Sequence, residues 1–285
     1  MIKKILKYVK RFLILVVGIS SLYLVNLFLM KPFSIDHFLG KELVVDLIDS
    51  PEALTYIGIF DRFNWITRHN SRLTIPSDDD INEEIESLEK SIKTLYKYKD
   101  SRLTDVQKNT KKIAIFDYEN NLKELKEFPH HDYPLNQIGG IHLNTIEFLS
   151  DMHPVRNISE AEGFIKRVNL IKQVYEGTLK DLEKQADAGI YPPEFVYGHV
   201  IEQLNEFISF THEEHPLFTQ FMKKVNDLDI TSEEKASLEE AVKDGIDESV
   251  TPGFILLRDF MIRTQKNANK NHGIWSQPNG DEYYK

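Results

Sequence analysis

From Phe12 to Met30 the chain carries no charged residue, a run of 19 positions bracketed by basic ones. Lys3, Lys4, Lys7, Lys10 and Arg11 precede it, and Lys31 follows at once. A helix rising about 1.5 Å per residue over such a run approaches the roughly 30 Å of bilayer hydrocarbon. Its polar members, Ser20, Ser21, Tyr23 and Asn26, are few enough for a membrane span. The basic residues ahead of the run hold the N-terminus in the cytoplasm and send the rest of the chain across. A cleaved signal peptide needs a short apolar region ending in small residues. Here the run closes on Leu27-Phe28-Leu29-Met30-Lys31-Pro32. The expectation is a retained single-pass anchor in the cell membrane. Residues 1–31 are read as a cytoplasmic basic stretch and span (12–30), and residues 34–285 as an extracytoplasmic body.

That body is acidic. The chain holds 35 basic and 45 acidic residues, and six of the basic ones lie within the first 31 positions, where there is no acid. The remaining 29 face all 45 acids, a net charge of −16. Nucleic-acid binding is excluded on this ground, because it requires clustered lysine and arginine to displace counterions. With no cysteine in the chain, disulfides, thiolate metal sites and a cysteine nucleophile are excluded as well. A hydrophobic share of 41% is ample for a packed core, so the body is not a disordered tail.

The periodicity is helical throughout. Ser50-Pro51-Glu52 supplies an N-cap, a proline at the first helical position and an acid in the first turn. Ile81, Ile85, Leu88, Ile92 and Leu95, spaced by three and four, predict a helix from Asp78 to Tyr98. Thr104 with Gln107 forms a capping box for a helix reaching Leu125. Ser159 with Glu162 is read as another, opening one long amphipathic helix from Ala161 to Ala186 that Gly189 ends. Pro192-Pro193 restarts the chain, and Thr231 with Glu234 caps a later helix. Leu43–Ile48 and Arg72–Ile75 are the only strand candidates; the first fits a helix equally well and Pro76 cuts the second short. The fold class is all-α.

Side-chain chemistry concentrates at two places. His212-Glu213-Glu214-His215 invites a zinc reading, but the helical zinc motif spaces its histidines by four, and here they are three apart with Pro216 following. A solvated loop or helix end is the preferred reading, with no metal ligand assigned. The second place is the irregular stretch from Phe128 to Asn144, where Pro129, Pro134 and Gly139-Gly140 break the helical pattern. His130-His131 reads there as a turn with exposed imidazoles, and His142 and His153 read as hydrogen-bonded structural residues. The sequence holds no serine nucleophile elbow, phosphate loop or dinucleotide fingerprint.

Three passages carry a resemblance. Tyr133-Pro134-Leu135-Asn136-Gln137-Ile138-Gly139-Gly140-Ile141-His142-Leu143-Asn144 is the longest. Gly189-Ile190-Tyr191-Pro192-Pro193-Glu194-Phe195-Val196 and Gly273-Ile274-Trp275-Ser276-Gln277-Pro278-Asn279-Gly280-Asp281-Glu282-Tyr283-Tyr284 follow in order. Together they resemble the N-terminal half of the bacterial family catalogued as domain of unknown function 885. Its members are similar to large, almost wholly helical zinc metallopeptidases whose C-terminal half carries a His-Glu-x-x-x-His-His-like signature. The resemblance implies that zinc, peptide substrate and hydrolysis belong to that C-terminal half, none of whose ligands can be placed on this chain. It also offers Tyr133, Gln137, Gly139, Gly140, His142 and Asn144 as residues that line or support a substrate cleft, with a packing role as the other reading. The expectation is a membrane-anchored N-terminal portion, inactive alone and without cofactor, whose catalytic half would come from a separate chain. The alternative is an extracytoplasmic helical binding or scaffold module working through its acidic surface. A frame encoding the zinc helix beyond Lys285 would favour the first, and unrelated sequence there the second.

Overall fold

The computed structural model describes Ile2–Tyr284; Met1, Lys285 and the side chains of Ile2, Lys3, Lys4 and Asp78 lie outside the described residues. The chain is all-α. Its first helices are α1 (Ile2–Leu29), α2 (Ile35–Asp49), α3 (Pro51–Ile57), α4 (Asn64–Thr67), α5 (Asp78–Tyr96) and α6 (Asp105–Glu127). Next come α7 (Ile141–Glu147), α8 (Ile158–Val168), α9 (Ile171–Asp187) and α10 (Glu194–Ser209). The last are α11 (Pro216–Asn226), α12 (Ser232–Gly245), α13 (Thr251–Thr264) and α14 (Gly280–Tyr284). Among the described residues, extended backbone pairs only at an isolated bridge between Pro193 and Asn269. Of the two strand candidates, Leu43–Ile48 lies inside α2, and Arg72–Ile75 runs without a strand partner.

Two compact units emerge, Met1–Asp49 with Glu83–Lys123 and Ser50–Asn82 with Glu124–Lys285. In the first, the stretch Ile5–Leu29 of α1 is long and apolar enough to cross a membrane, at a mean hydropathy of 2.4 with 6% of its apolar window buried. Its 25 residues extend about 37 Å. Such a helix is either a signal sequence or an anchor. Asn26, polar within the apolar run, ends the helix: its Nδ2 donates to Lys31 O at 3.0 Å and its Oδ1 accepts from Phe33 N at 3.0 Å. Both bonds satisfy backbone groups of the turn between α1 and α2. Behind it a small core of Ile35, Phe38, Leu95 and Tyr98 forms. Tyr98 donates its hydroxyl to Pro32 O at 2.7 Å, and burial pushes that phenol up to about 12. The Thr104–Gln107 box is reciprocal, with Thr104 N donating to Gln107 Oε1 at 3.1 Å and Gln107 N to Thr104 Oγ1 at 3.3 Å.

The second unit holds the main core, a continuous cluster that includes Phe164, Val168, Val174, Tyr197, Phe221, Val242, Phe254 and Met261. The long helix expected from Ala161 to Ala186 is two helices. Leu170 N bonds back to Arg167 O at 3.0 Å, and Lys172 N donates to Ser249 Oγ at 3.0 Å, so α9 starts anew on a cap from the distant π-helical segment Ile246–Val250. The box expected from Ser159 and Glu162 is displaced: Asn157 is the N-cap of α8, its Oδ1 accepting from Glu160 N at 3.0 Å. Local spacing could not choose between two polar residues two positions apart, because both satisfy the capping rule.

Arg167 ties this unit together. It is fully buried and spends its N–H groups on Arg72 O (2.8 Å), His153 Nδ1 (2.9 Å), Thr55 Oγ1 (2.8 Å), His69 O (2.9 Å) and Pro51 O (3.2 Å). Each of these partners is neutral, and burial lowers the guanidinium to about 10, so it stays charged at neutral pH. Gly163 lets the same region close: a Cβ there would lie 2.7 Å from Asn70 O. The 3-10 turn His69–Ser71 that follows α4, with Arg72 after it, is thereby pressed onto α8 by a cation and a missing side chain.

Candidate functional site

The stretch between α6 and α7 is built by its own bonds. Asn136 Oδ1 accepts from Ile138 N (3.0 Å) and Gly139 N (2.8 Å), while its Nδ2 donates to Tyr133 O (3.1 Å). Asn144 Nδ2 reaches back to Gly139 O at 2.8 Å, and Ile141 N donates to Pro134 O at 2.9 Å. Gly140 admits no side chain, since a Cβ would sit 2.6 Å from Asn136 O. An asparagine in this setting stands in for turn hydrogen bonds and fixes the loop.

The three passages singled out by sequence meet around one side chain. Gln277, 6% exposed, donates Nε2 to Tyr133 OH at 2.8 Å and to Tyr191 O at 2.6 Å. His131 Nε2 bonds Pro278 O at 2.7 Å, and its ring packs on Tyr283 with centroids 4.9 Å apart. Its imidazole is buried, which corrects the exposed turn expected from sequence; the C-terminal residues that cover it are far away along the chain. Glu194 N donates to Asn269 O at 2.9 Å, and Gln185 Nε2 to Asp132 O at 2.8 Å. Burial is the main reason that the Asp132 carboxyl is raised.

The cleft candidates divide between two concavities and the loop interior. Gln137 lines a hollow with Phe195, His199, Glu202, Gln203 and Glu206, of about 520 Å³. Asn144 lines another, about 310 Å³ and mostly apolar, with Tyr56, Leu73, Pro76, Ile141 and Phe148 among its walls. Tyr133 is held by Gln277, and Gly139 and Gly140 serve the turn. His142 is fully buried, its Nε2 on Gln203 Oε1 at 3.0 Å, and Gln203 Nε2 donates to Gln137 O at 3.1 Å. Burial lowers the His142 pKa, so the ring is neutral at pH 7. Gln203 therefore couples a buried imidazole to the rim of the larger hollow. That hollow presents hydrogen-bonding groups and two exposed carboxylates to a ligand, and its lining holds no nucleophile paired with a base.

Sequence reasoning missed Gln277, Gln203 and Arg167. The signal for Arg167 was present: it stands between Phe164 and Ile171, at core-facing spacing on an apolar stripe. Neither glutamine carried any local signal.

His212 and His215 do not form a metal pair. His212 Nε2 bonds Asp247 Oδ1 at 2.8 Å, while His215 caps α11 by accepting from Leu217 N on Nδ1 at 3.2 Å. Burial lowers His215 to about 4, and Phe207 and Phe210 pack around it. Among the described residues, no group of three or more His, Cys, Asp or Glu is placed to hold a metal. The residues here do not fit the zinc site that the resemblance attributes to the other half of the family fold.

A family model described as "Bacterial protein of unknown function (DUF885)" matches residues 51–285. A crystal structure described as "the putative lipoprotein from Colwellia psychrerythraea" is similar at a TM-score of 0.74 and 20% identity. The match covers 82% of this chain and 41% of that one, so the chain spans less than half the length of its structural relative. At that identity the likeness shows the fold alone. No curated protein matches the chain.

Proposed function

The chain belongs to the DUF885 family of bacterial proteins of unknown function, and from that premise we propose that it is a membrane-anchored, non-hydrolytic N-terminal portion of a zinc-peptidase-like helical fold. The observation that carries this reading is the partial match, 82% of this chain against 41% of a larger helical protein. Two further facts support it. His212 and His215 are committed to separate structural bonds, so that motif does not present a pair of ligands for a water-activating metal. α1 is followed at once by an ordered turn on Asn26 and Tyr98, the arrangement expected of a helix that stays attached.

In this reading peptide hydrolysis requires the metal-binding half of the family fold. The segment Tyr133–Asn144 contributes the rim of a peptide cleft, through Gln137 and Asn144, on a scaffold set by Tyr133, Gly139, Gly140 and His142. The test is made on the full chain in its membrane. Alkaline carbonate should leave it in the membrane fraction with its first residues intact, and with added zinc it should not cleave peptides. Release by carbonate after N-terminal processing would overturn the anchor. Zinc-dependent turnover by the purified chain would overturn the non-hydrolytic assignment.

A further inference from the structure

The stretch Ile57–Arg68 places large apolar side chains in solvent. Trp65 is 76% exposed, Ile59 65%, Ile66 61% and Phe63 50%. Single exposed hydrophobics are ordinary on protein surfaces, but several on one short segment mark an interaction site. The segment is not a loose loop that could fold its apolar groups inward. Gly58, at φ +66°, closes α3 by donating its N–H to Leu54 O at 3.0 Å. Asn64 Oδ1 accepts from Asn70 N at 3.1 Å, and buried His69 bonds Thr67 Oγ1 at 2.6 Å and Asp61 Oδ1 at 3.2 Å. Arg68 is held at φ +50°, a left-handed conformation that a non-glycine residue adopts only when its surroundings fix it. The backbone is pinned while its apolar side chains stay outside.

Charge separates this segment from the rest of the body. Its one acid, Asp61, is neutralised by Arg156 Nη2 at 2.6 Å. Arg62 and Arg68 are exposed, and no partner engages either side chain among the described residues. A cationic, tryptophan- and phenylalanine-bearing surface is thus set into a body of net charge −16. That composition complements an anionic phospholipid surface: aromatic rings settle at headgroup depth, and each arginine adds attraction to the lipid charge. A bilayer is also the one partner that the chain's own α1 would keep at high local concentration.

We infer that Ile57–Arg68 is a second membrane contact, a peripheral docking surface for anionic lipid that inserts Trp65, Phe63 and Ile66 at the bilayer interface. The inference rests on the anchor reading only for its effective concentration; the surface chemistry stands without it. The two tryptophans of the chain, Trp65 and Trp275, make it testable. The full chain is reconstituted in vesicles containing acyl-brominated phosphatidylglycerol, with Trp275→Phe leaving Trp65 as sole reporter and Trp65→Phe leaving Trp275. Trp65 emission should shift to the blue and be quenched by at least about half, while Trp275 is unaffected. Charge reversal by Arg62→Glu and Arg68→Glu should weaken the quenching, each arginine being worth about fivefold in lipid partitioning. Phe63→Ser with Ile66→Ser should abolish it. Flotation after a carbonate wash reads the anchor separately. A chain that floats with Trp65 unquenched overturns the docking surface and leaves the anchor standing. A chain that does not float but is quenched by added anionic vesicles keeps the docking surface and overturns the anchor. No flotation and no quenching overturns both. Trp65 emission already blue-shifted before lipid is added, and insensitive to bromine, assigns the patch to a protein partner and overturns the lipid assignment.

Discussion

The two units of this chain are held together in different ways. In Met1–Asp49 with Glu83–Lys123, a core of four buried apolar side chains is supplemented by caps and bonds near helix ends, such as the Thr104–Gln107 box and the Tyr98 hydroxyl on Pro32. In Ser50–Asn82 with Glu124–Lys285, a continuous core surrounds a buried cation that bonds five acceptor groups from distant parts of the chain. Stability in the first unit is therefore spread over small contributions, some between neighbours and some, like Tyr98 on Pro32, between residues far apart along the chain. In the second it depends on long-range groups that have no substitute.

The largest test of that contrast is Arg167→Met. It keeps much of the apolar stem but leaves several buried acceptors unpaired, at about 1–3 kcal/mol for each one left dry. The second unit should lose at least about 3 kcal/mol in urea unfolding, while hydrogen exchange in residues 83–123 stays unchanged. Next is Gly163→Ala, whose Cβ would meet Asn70 O at 2.7 Å; overpacking of that kind costs about 1–3 kcal/mol. Gly40→Ala makes the counterpart in the first unit. A Cβ there meets nothing within 4 Å, and the helix should gain about 0.5–1 kcal/mol from the lost backbone freedom. Opposite signs for these two glycines sharpen the comparison, and equal signs break it.

Acid should separate the units as well. Burial lowers His153 to about 3, with Arg167 adding to the effect, and lowers His215 to about 4. The unfolded chain, with histidines near 6.5, binds more protons than the native one between those values. Stability of the second unit is therefore complete above about pH 6.5 and falls as pH drops towards 4. In the first unit burial raises the Asp46 carboxyl, which works in the other direction, since its native form holds the proton more tightly. Hydrogen exchange at pH 7.5 and pH 5 should show protection falling in residues 141–264 first. Tyr98→Phe should cost the first unit only about 1 kcal/mol, from one lost buried hydrogen bond, comparable in size to the Gly40→Ala gain.

What sequence made legible divides between bonds made by neighbours and bonds made at long range, in both units. Helix starts set by neighbours were visible: Thr104 with Gln107, Thr231 with Glu234, and the restart after Pro192-Pro193. The apolar helix was visible from charge and length alone, and the all-α class from periodicity. The break between α8 and α9 was hidden because Ser249, 77 positions away from Lys172, supplies its cap. Burial of His131 was hidden for the same reason, its cover being Pro278 and Tyr283. At the candidate site the resemblance pointed to three passages, and the structure joins them through Gln277. Which of their residues face a hollow was not legible, because only the folded loop decides that Gln137 and Asn144 reach a surface while His142 turns inward.

The most direct measurement is the zinc content of the full chain reconstituted in membrane, by elemental analysis after dialysis against a micromolar zinc buffer. The account predicts no stoichiometric zinc, and no change when His212 and His215 are replaced by alanine. One tightly held zinc per chain, lost on those replacements, would contradict it.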